Sequence, residues 1–304
     1  MSSRLGIDIG LRELKVVETD GRRLTGHVEI LLPDGAIHDG MPTPLLTAAL
    51  RGAMEAGGVR PSIAHVAIAD ASIAVRDFLL PRLHSAELDS AVIFEGRRLI
   101  PLDPDSVYYA WHASAVRGGY AVYLVAARRE MIDALRAALS EAGLEAARID
   151  VKPLALARGV GVADGLILEW GAAEATLVLM VAGRPRFFRS FLLDAPPEDL
   201  NGQLDELAFT LNSLVRFIRT AAPEAPIGPA TALHLVGRIA FIPDGFRRAQ
   251  QRFNFTLREP MVPPFKATAG FPWQAHMAGL GLLQAVRWRG RLDPSQGGDV
   301  RVAA

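Results

Sequence analysis

The sequence contains no cysteine, which excludes disulfide bridges, thiolate nucleophiles and cysteine-ligated zinc. It has little lysine: Lys15, Lys152 and Lys266 are the only three, so nearly all positive charge is arginine. Coding bias accounts for this more simply than anion chemistry does. It has no net charge, because 33 basic side chains balance 33 acidic ones, and so no global basic field that would recruit nucleic acid. No window approaches about 18 uninterrupted apolar residues, so no transmembrane helix is expected. Met1-Ser2-Ser3-Arg4 runs straight into a strand pattern and leaves no room for a signal peptide. The seven histidines show no metal-ligand spacing, and neither a Walker motif nor a GxGxxG motif occurs. The expectation is a cytoplasmic protein without direct membrane insertion.

What is present is a chain of 304 residues, half of them hydrophobic, enough for two domains or one large α/β domain. It contains an internal echo. Leu5-Gly6-Ile7-Asp8-Ile9-Gly10 opens a stretch that turns at Asp20-Gly21 and resumes over Leu24 to Ile30. Leu166-Ile167-Leu168-Glu169-Trp170-Gly171 opens another, which turns at Ala182-Gly183 and resumes over Pro185 to Phe191. Each copy reads as strand, tight glycine turn, strand, turn, strand, with an acid two residues before the glycine. Residues two apart share a face, so Asp8 points with Gly10 and Glu169 with Gly171. The glycines permit close approach to the backbone, and the hairpin amides can face an anion. One such hairpin is an ordinary β-meander. Two, one per half, are how actin-fold proteins clasp nucleotide phosphates from both sides.

Between the copies, Pro42-Thr43-Pro44 can start a helix that Gly57-Gly58 ends. Ala64 to Ala69 and Ile73 to Leu80 read as strands. Glu87 to Arg98 reads as a helix, Val107 to Ala115 and Tyr120 to Ala126 as strands, and Glu130 to Glu141 as a helix closed by Gly143. Residues 81–150 are thus expected to form a compact insert. Further on, Asn201 to Arg219 carries an apolar stripe, Leu233 to Val236 reads as a buried strand, and His276 to Arg287 as the last helix. Residues 291–304 read as a disordered tail.

Leu79-Leu80-Pro81, Glu87-Leu88, Ala91-Val92, Glu95-Gly96, Ile100-Pro101 and Val107-Tyr108-Tyr109 resemble the insert of the PilM family of type IV pilus assembly proteins. Gly6-Ile7-Asp8-Ile9-Gly10 with Leu14-Lys15-Val16-Val17-Glu18 resembles that family's first phosphate motif. FtsA and the cytoplasmic part of GspL proteins are similar in fold. The resemblance implies an α/β, actin-like (ribonuclease H-like) duplicated fold with an inserted small α/β subdomain. It divides the chain into 1–80 plus 151–162, the insert 81–150, and a second half 163–290 with a shortened outer subdomain. It also implies a scaffold that binds the cytoplasmic tail of a PilN-like membrane protein and connects to pilus motor and platform proteins. The peptide groove would lie between residues 1–80 and 81–150. Homodimerisation is left open.

By the same resemblance, nucleotide contacts would come from Asp8, Gly10, Leu11, Arg12, Lys15, Glu169, Gly171, Gly237 and Arg238, with Asp8 and Glu169 on Mg²⁺. The sequence departs from the pattern in four places. Leu11, Arg12 and Glu13 replace small hydroxyl residues after the first glycine, and alternation turns only one of Arg12 and Glu13 inward. Glu169 stands where the second motif has Asp, and Mg²⁺ demands near-ideal geometry. Arg238 follows Gly237 where consecutive glycines are usual, and the segment from Phe191 to Asn201 is short. Trp170 is expected to face away from the cleft into the core. The departures favour a non-catalytic scaffold with weak or no ATP and Mg²⁺ binding. The alternatives are an active actin-like ATPase and an FtsA-like filament former, which would need an amphipathic C-terminal helix that the polar tail lacks.

Overall fold

The computed structural model describes residues 3–60, 63–68, 73–221, 227–228, 230–262, 264–284 and 301–303. The chain begins with the antiparallel strands β1 (Arg4–Ile9), β2 (Glu13–Thr19) and β3 (Leu24–Leu31). A short ladder, β4 (Ile37–His38) and β5 (Met41–Pro42), leads into helix α1 (Pro44–Ala56). Thr43 starts α1 because its hydroxyl accepts the Leu45 amide and Pro44 has no amide to leave unpaired. There follow β6 (Ile63–Ile68), β7 (Ile73–Pro81), α2 (Ser85–Leu99), β8 (Val107–Val116), β9 (Gly119–Arg128), α3 (Arg129–Glu141), β10 (Glu145–Val151) and α4 (Lys152–Val160). The second half supplies β11 (Gly165–Trp170), β12 (Glu174–Val181), β13 (Arg184–Leu192), α5 (Leu200–Ala221), β14 (Ala232–Gly237), α6 (Gly245–Gln250), β15 (Thr256–Arg258) and α7 (Met277–Leu283). Arg301–Ala303 form β16.

The halves repeat one topology. The first sheet runs β3-β2-β1-β6-β10, with β16 beyond β10, and the second runs β13-β12-β11-β14-β15. In both, the opening strand is antiparallel to the next strand in sequence and parallel to the strand on its other side. The duplicated α/β architecture expected from the twin hairpins is therefore the observed one. Strands such as β1 and β12 are buried on both faces and read as near-continuous apolar runs. The edge strand β3 instead alternates half-buried and exposed residues after the buried Leu24.

One apolar cluster lies between the halves. Val17 and Ala67 of the first sheet and Ile167 and Val178 of the second meet α4 and α7 there. The two helices cross at backbone contact distance. A Cβ on Gly281 would stand 1.8 Å from the Ala155 carbonyl oxygen, and one on Gly159 2.0 Å from that of Met277.

The inserted sheet has the order β7-β9-β8, with α2 packed on one face through Val92. Strand pairing divides the chain differently from the expected boundaries at 81 and 150. β7 pairs with β9 along its whole length, and β10 pairs in parallel with β6 in the first sheet. Helix α3 joins the first core through Met131, Ile132, Leu135 and Leu139. Local pattern could not place β7, because Phe78 and Leu80 pack on the core beneath α2 while Val75 joins the first core, so the strand contributes to two cores. Where a helix is expected from His276 to Arg287, a 3-10 turn at Trp273–His276 is followed by α7, and residues 285–287 lie outside the described residues. The expected disordered tail, residues 291–304, lies outside the described residues except for β16. Only residues 193–199 join β13 to α5.

Candidate functional site at the interlobe cleft

The two glycine hairpins face each other. In the first, the Gly10 amide donates to the Glu13 carbonyl at 2.8 Å and the Leu32 amide to the Arg12 carbonyl at 2.8 Å. In the second, Gly171 donates to Glu174 at 2.9 Å and Leu193 to Ala173 at 2.9 Å. The matched bonds make the turns structural copies. A Cβ on Gly10 would meet the Glu174 carboxylate at 2.0 Å, and a Cβ on Gly171 would meet that of Glu13 at 2.3 Å. The glycines are required because a side chain from the opposite half fills the space in front of each.

Six charged side chains, each no more than 3% exposed, occupy the space between the turns. Lys152, the first residue of α4, places Nζ 3.1 Å from Asp8 Oδ2, 2.9 Å from Glu169 Oε2 and 3.4 Å from Glu174 Oε1. The contact with Asp8 is an ion pair without hydrogen-bond alignment, since neither Asp8 oxygen has a hydrogen-bond partner. Lys15 on β2 places Nζ 3.1 Å from Glu13 Oε2 and 3.7 Å from Glu169 Oε1, with Glu29 at 4.0 Å. The Ala173 amide donates to Glu13 Oε1 at 2.6 Å, and the Arg12 amide to Glu174 Oε2 at 2.6 Å. Four carboxylates thus face two ammonium groups, a formal excess of two negative charges.

The electrostatics follow from this crowding. Burial pulls the Lys152 ammonium down, but Asp8, Glu169 and Glu174 together outweigh it and hold its pKa well above the usual value. Lys15 is raised likewise, with Glu169 and Glu13 outweighing burial. Glu169 is pushed up by burial, yet Lys15 and Lys152 leave it net lowered. Asp8 goes the other way: burial, opposed mainly by Lys152, raises it to about 7. His276, at the entry to α7, is depressed to about 3 by burial and then by Lys15, and stays neutral.

The Asp8 shift fixes a pH dependence. A carboxyl whose folded pKa lies above its unfolded value stabilises fully below the unfolded value and loses that contribution as pH rises through the folded one. The stability of the wild type relative to Asp8→Asn should therefore fall by on the order of 2–4 kcal/mol between about pH 4 and about pH 8. Denaturant unfolding of both proteins at each pH measures it. A difference that is flat or that rises with pH contradicts the assignment.

The expected site residues divide into three groups. Asp8, Gly10, Lys15, Glu169 and Gly171 come together in the cleft. The side chains of Leu11 and Arg12 leave it: Arg12 pairs with Asp34, and Leu11 lines an apolar cavity outside the cleft. Glu13 takes the inward position instead. Gly237 and Arg238 serve the second half. Gly237, at φ 92°, lets the end of β14 approach the backbone of Trp170, where a Cβ would stand 2.2 Å from the carbonyl oxygen. Arg238 donates to Gln203 Oε1 at 3.1 Å and to the Pro197 carbonyl at 2.9 Å, with its guanidinium carbon 5.7 Å from the Trp170 ring centroid. Trp170 is fully buried in the second core, as expected, and its indole also donates to Gln203 Oε1, at 2.9 Å. Gln203 returns its amide to the carbonyls of Ala172 and Ala195, fixing the second turn.

Sequence reasoning missed Lys152 and Glu174. For Glu174 the signal was present, because both copies read glycine, two residues, glutamate: Gly10-Leu11-Arg12-Glu13 and Gly171-Ala172-Ala173-Glu174. For Lys152 it was the scarcity of lysine itself. Two of the three lysines lie here, where a compact ammonium fits among several carboxylates and a planar guanidinium does not.

Two lobes of one topology, meeting at paired glycine hairpins with an inserted subdomain on the first, define an actin-like protein. The family model described as type IV pilus assembly protein PilM matches residues 6–182, and the chain belongs to that family. Among solved structures it is similar to the PilM–PilN type IV pilus biogenesis complex, with 21% identity and a TM-score of 0.69 over 92% of this chain and 97% of that chain. It is also similar to the cytoplasmic domain of EpsL, an inner membrane component of the type II secretion system of Vibrio cholerae (11% identity, TM-score 0.54, 94% of this chain and 97% of that chain). The ethanolamine utilization protein EutJ from Carboxydothermus hydrogenoformans has 12% identity and a TM-score of 0.53, over 93% of this chain and 89% of that chain. No curated protein matches. No helix among the described residues is long and apolar enough to cross a membrane.

Proposed function

We propose that this chain is a cytoplasmic scaffold of a type IV pilus or related secretion platform. It binds the cytoplasmic N-terminal peptide of a PilN-like membrane protein, is held at the inner membrane through that partner, and neither requires nor hydrolyses nucleotide. Family membership and similarity to PilM in its complex with PilN support the assembly role. The observation that carries the peptide reading is a cavity of about 370 Å³ lined by Ile9, Leu11, Ile37, Pro42, Met131 and Leu135. It opens where the first strands meet α3, at the seam between residues 1–80 and 81–150. Its apolar lining suits the anchoring side chains of an extended peptide.

The nucleotide reading follows from the cleft. The amides of Arg12 and Ala173 already hold carboxylates, and an ammonium group already lies between Asp8 and Glu169. Mg²⁺ and a triphosphate would have to displace both. The residues present do not fit that cofactor.

Thermal unfolding of the full chain tests both parts. A synthetic peptide of the cytoplasmic N-terminal tail of a PilN-like membrane protein from the same organism should raise Tm, and Leu11→Asp should weaken that peptide at least about tenfold by placing a charge in an apolar pocket. MgATP in the millimolar range should leave Tm unchanged, whereas a site occupied at 1,000 times its Kd would add about 4 kcal/mol. Stabilisation by MgATP overturns the nucleotide reading, and absence of a peptide shift overturns the scaffold reading.

A further inference from the structure

We propose that Glu13 and Glu174 are reciprocal latches that hold the two lobes closed across the cleft, with Lys15 and Lys152 as countercations built into the chain. Each glutamate begins the second strand of its own lobe and is taken up by a turn amide of the other lobe. Glu13 is held by Ala173 and Glu174 by Arg12, both at 2.6 Å. Charge-assisted bonds of this length are the strong ones. The lysines tie the same lobes a second time: Lys15 bridges Glu13 and Glu169, and Lys152 bridges Asp8 to Glu169 and Glu174.

The arrangement is symmetric in sequence as well as in space. Each latch is the third residue after a glycine that leaves room for the opposing carboxylate. Two latches at copied positions, each unable to release while the other holds the cleft shut, are cooperative. The network adjoins the apolar contact between α4 and α7, since Lys152 opens α4, and it adds a polar clasp to that apolar part of the interlobe boundary. A clasp made of side chains cannot be titrated away by lowering a ligand concentration, as a ligand-held closure can. The closed cleft is the resting state of this chain.

The absence of native cysteine allows a clean test in the full chain. Spin labels on Glu55→Cys in α1 and Asn212→Cys in α5, both exposed positions in opposite lobes, report lobe separation. With native latches the inter-label distance should be single and narrow. Glu13→Gln with Glu174→Gln keeps an acceptor oxygen at each amide but removes both charges, and it should add a longer, broader component. A folded double variant with an unchanged distribution overturns the latch. Hydrogen exchange of the unaltered protein gives a second reading that no folding defect can obscure. The Arg12 and Ala173 amides should exchange together and at least about 100-fold more slowly than the turn amides of Arg117 and Gly118. Fast or unlinked exchange at those two amides also overturns it.

Discussion

Replacing Lys152 with methionine should destabilise the protein by about 3–5 kcal/mol, the usual consequence of removing one partner from a buried ionic cluster. The side chains are similar in volume, so lost packing contributes little. What is lost is the only ammonium that touches Asp8, Glu169 and Glu174 together. The remaining Lys15 reaches Glu13 and Glu169 but leaves Asp8 and Glu174 without an ion-pair partner. For a chain of this size the loss should lower Tm by on the order of 10 °C. A double change supplies the control. Adding Glu174→Gln removes a charge left without an ion-pair partner, and at least about 1 kcal/mol of stability should return, as expected for contacting residues. If Lys152→Met alone is within about 1 kcal/mol of wild type, the cluster is not the tightly desolvated network described here. Lys152→Arg is not a conservative change at this site, because a planar fork cannot occupy the point shared by three carboxylates.

Gly281→Ala should cost at least about 3 kcal/mol, at the upper end of what overpacking does. The obstacles to the added methyl are the Ala155 carbonyl oxygen at 1.8 Å and the Gly159 amide nitrogen at 2.8 Å. These are backbone atoms within α4, and no side-chain rotation relieves the clash. α4 and α7 would have to move apart, and with them the interlobe cluster that includes Val17, Ile167 and Val236. Gly52→Ala in α1 is the comparison: an added Cβ there meets nothing within 4 Å, and alanine should stabilise an exposed helix position by about 0.5–1 kcal/mol. Thermal or denaturant unfolding of the two variants side by side should show opposite signs. Equal and small effects would mean that the close helix crossing is not a constraint.

The duplicated fold and the facing of Gly10 and Gly171 were legible because each rests on a local pattern repeated in the chain, and the family because the insert motifs from Leu79 to Tyr109 resemble a known family. An acid, a glycine two residues on, and a hairpin of nearly equal length recur in both halves. The burial of Trp170 followed from strand alternation next to Glu169. The boundary of the insert was not legible, since β7 contributes side chains to two cores and its pairing with β9 spans tens of residues. Nor was the role of Glu13: a carboxylate beside a glycine turn reads as a repulsive intruder until its donor, the Ala173 amide, is brought to it from 160 residues away.

By itself the sequence determined which residues alternate, where the chain turns, and that two such units occur, because strand and turn geometry depend on neighbours a few positions apart. The tertiary structure decided what the cleft contains. Asp8, Glu13, Lys15, Lys152, Glu169 and Glu174 come from four strands and a helix, and only long-range packing sets them within ion-pair distance. Once they are desolvated together, their charges and pKa values are properties of the group, which no single residue carries in its local sequence.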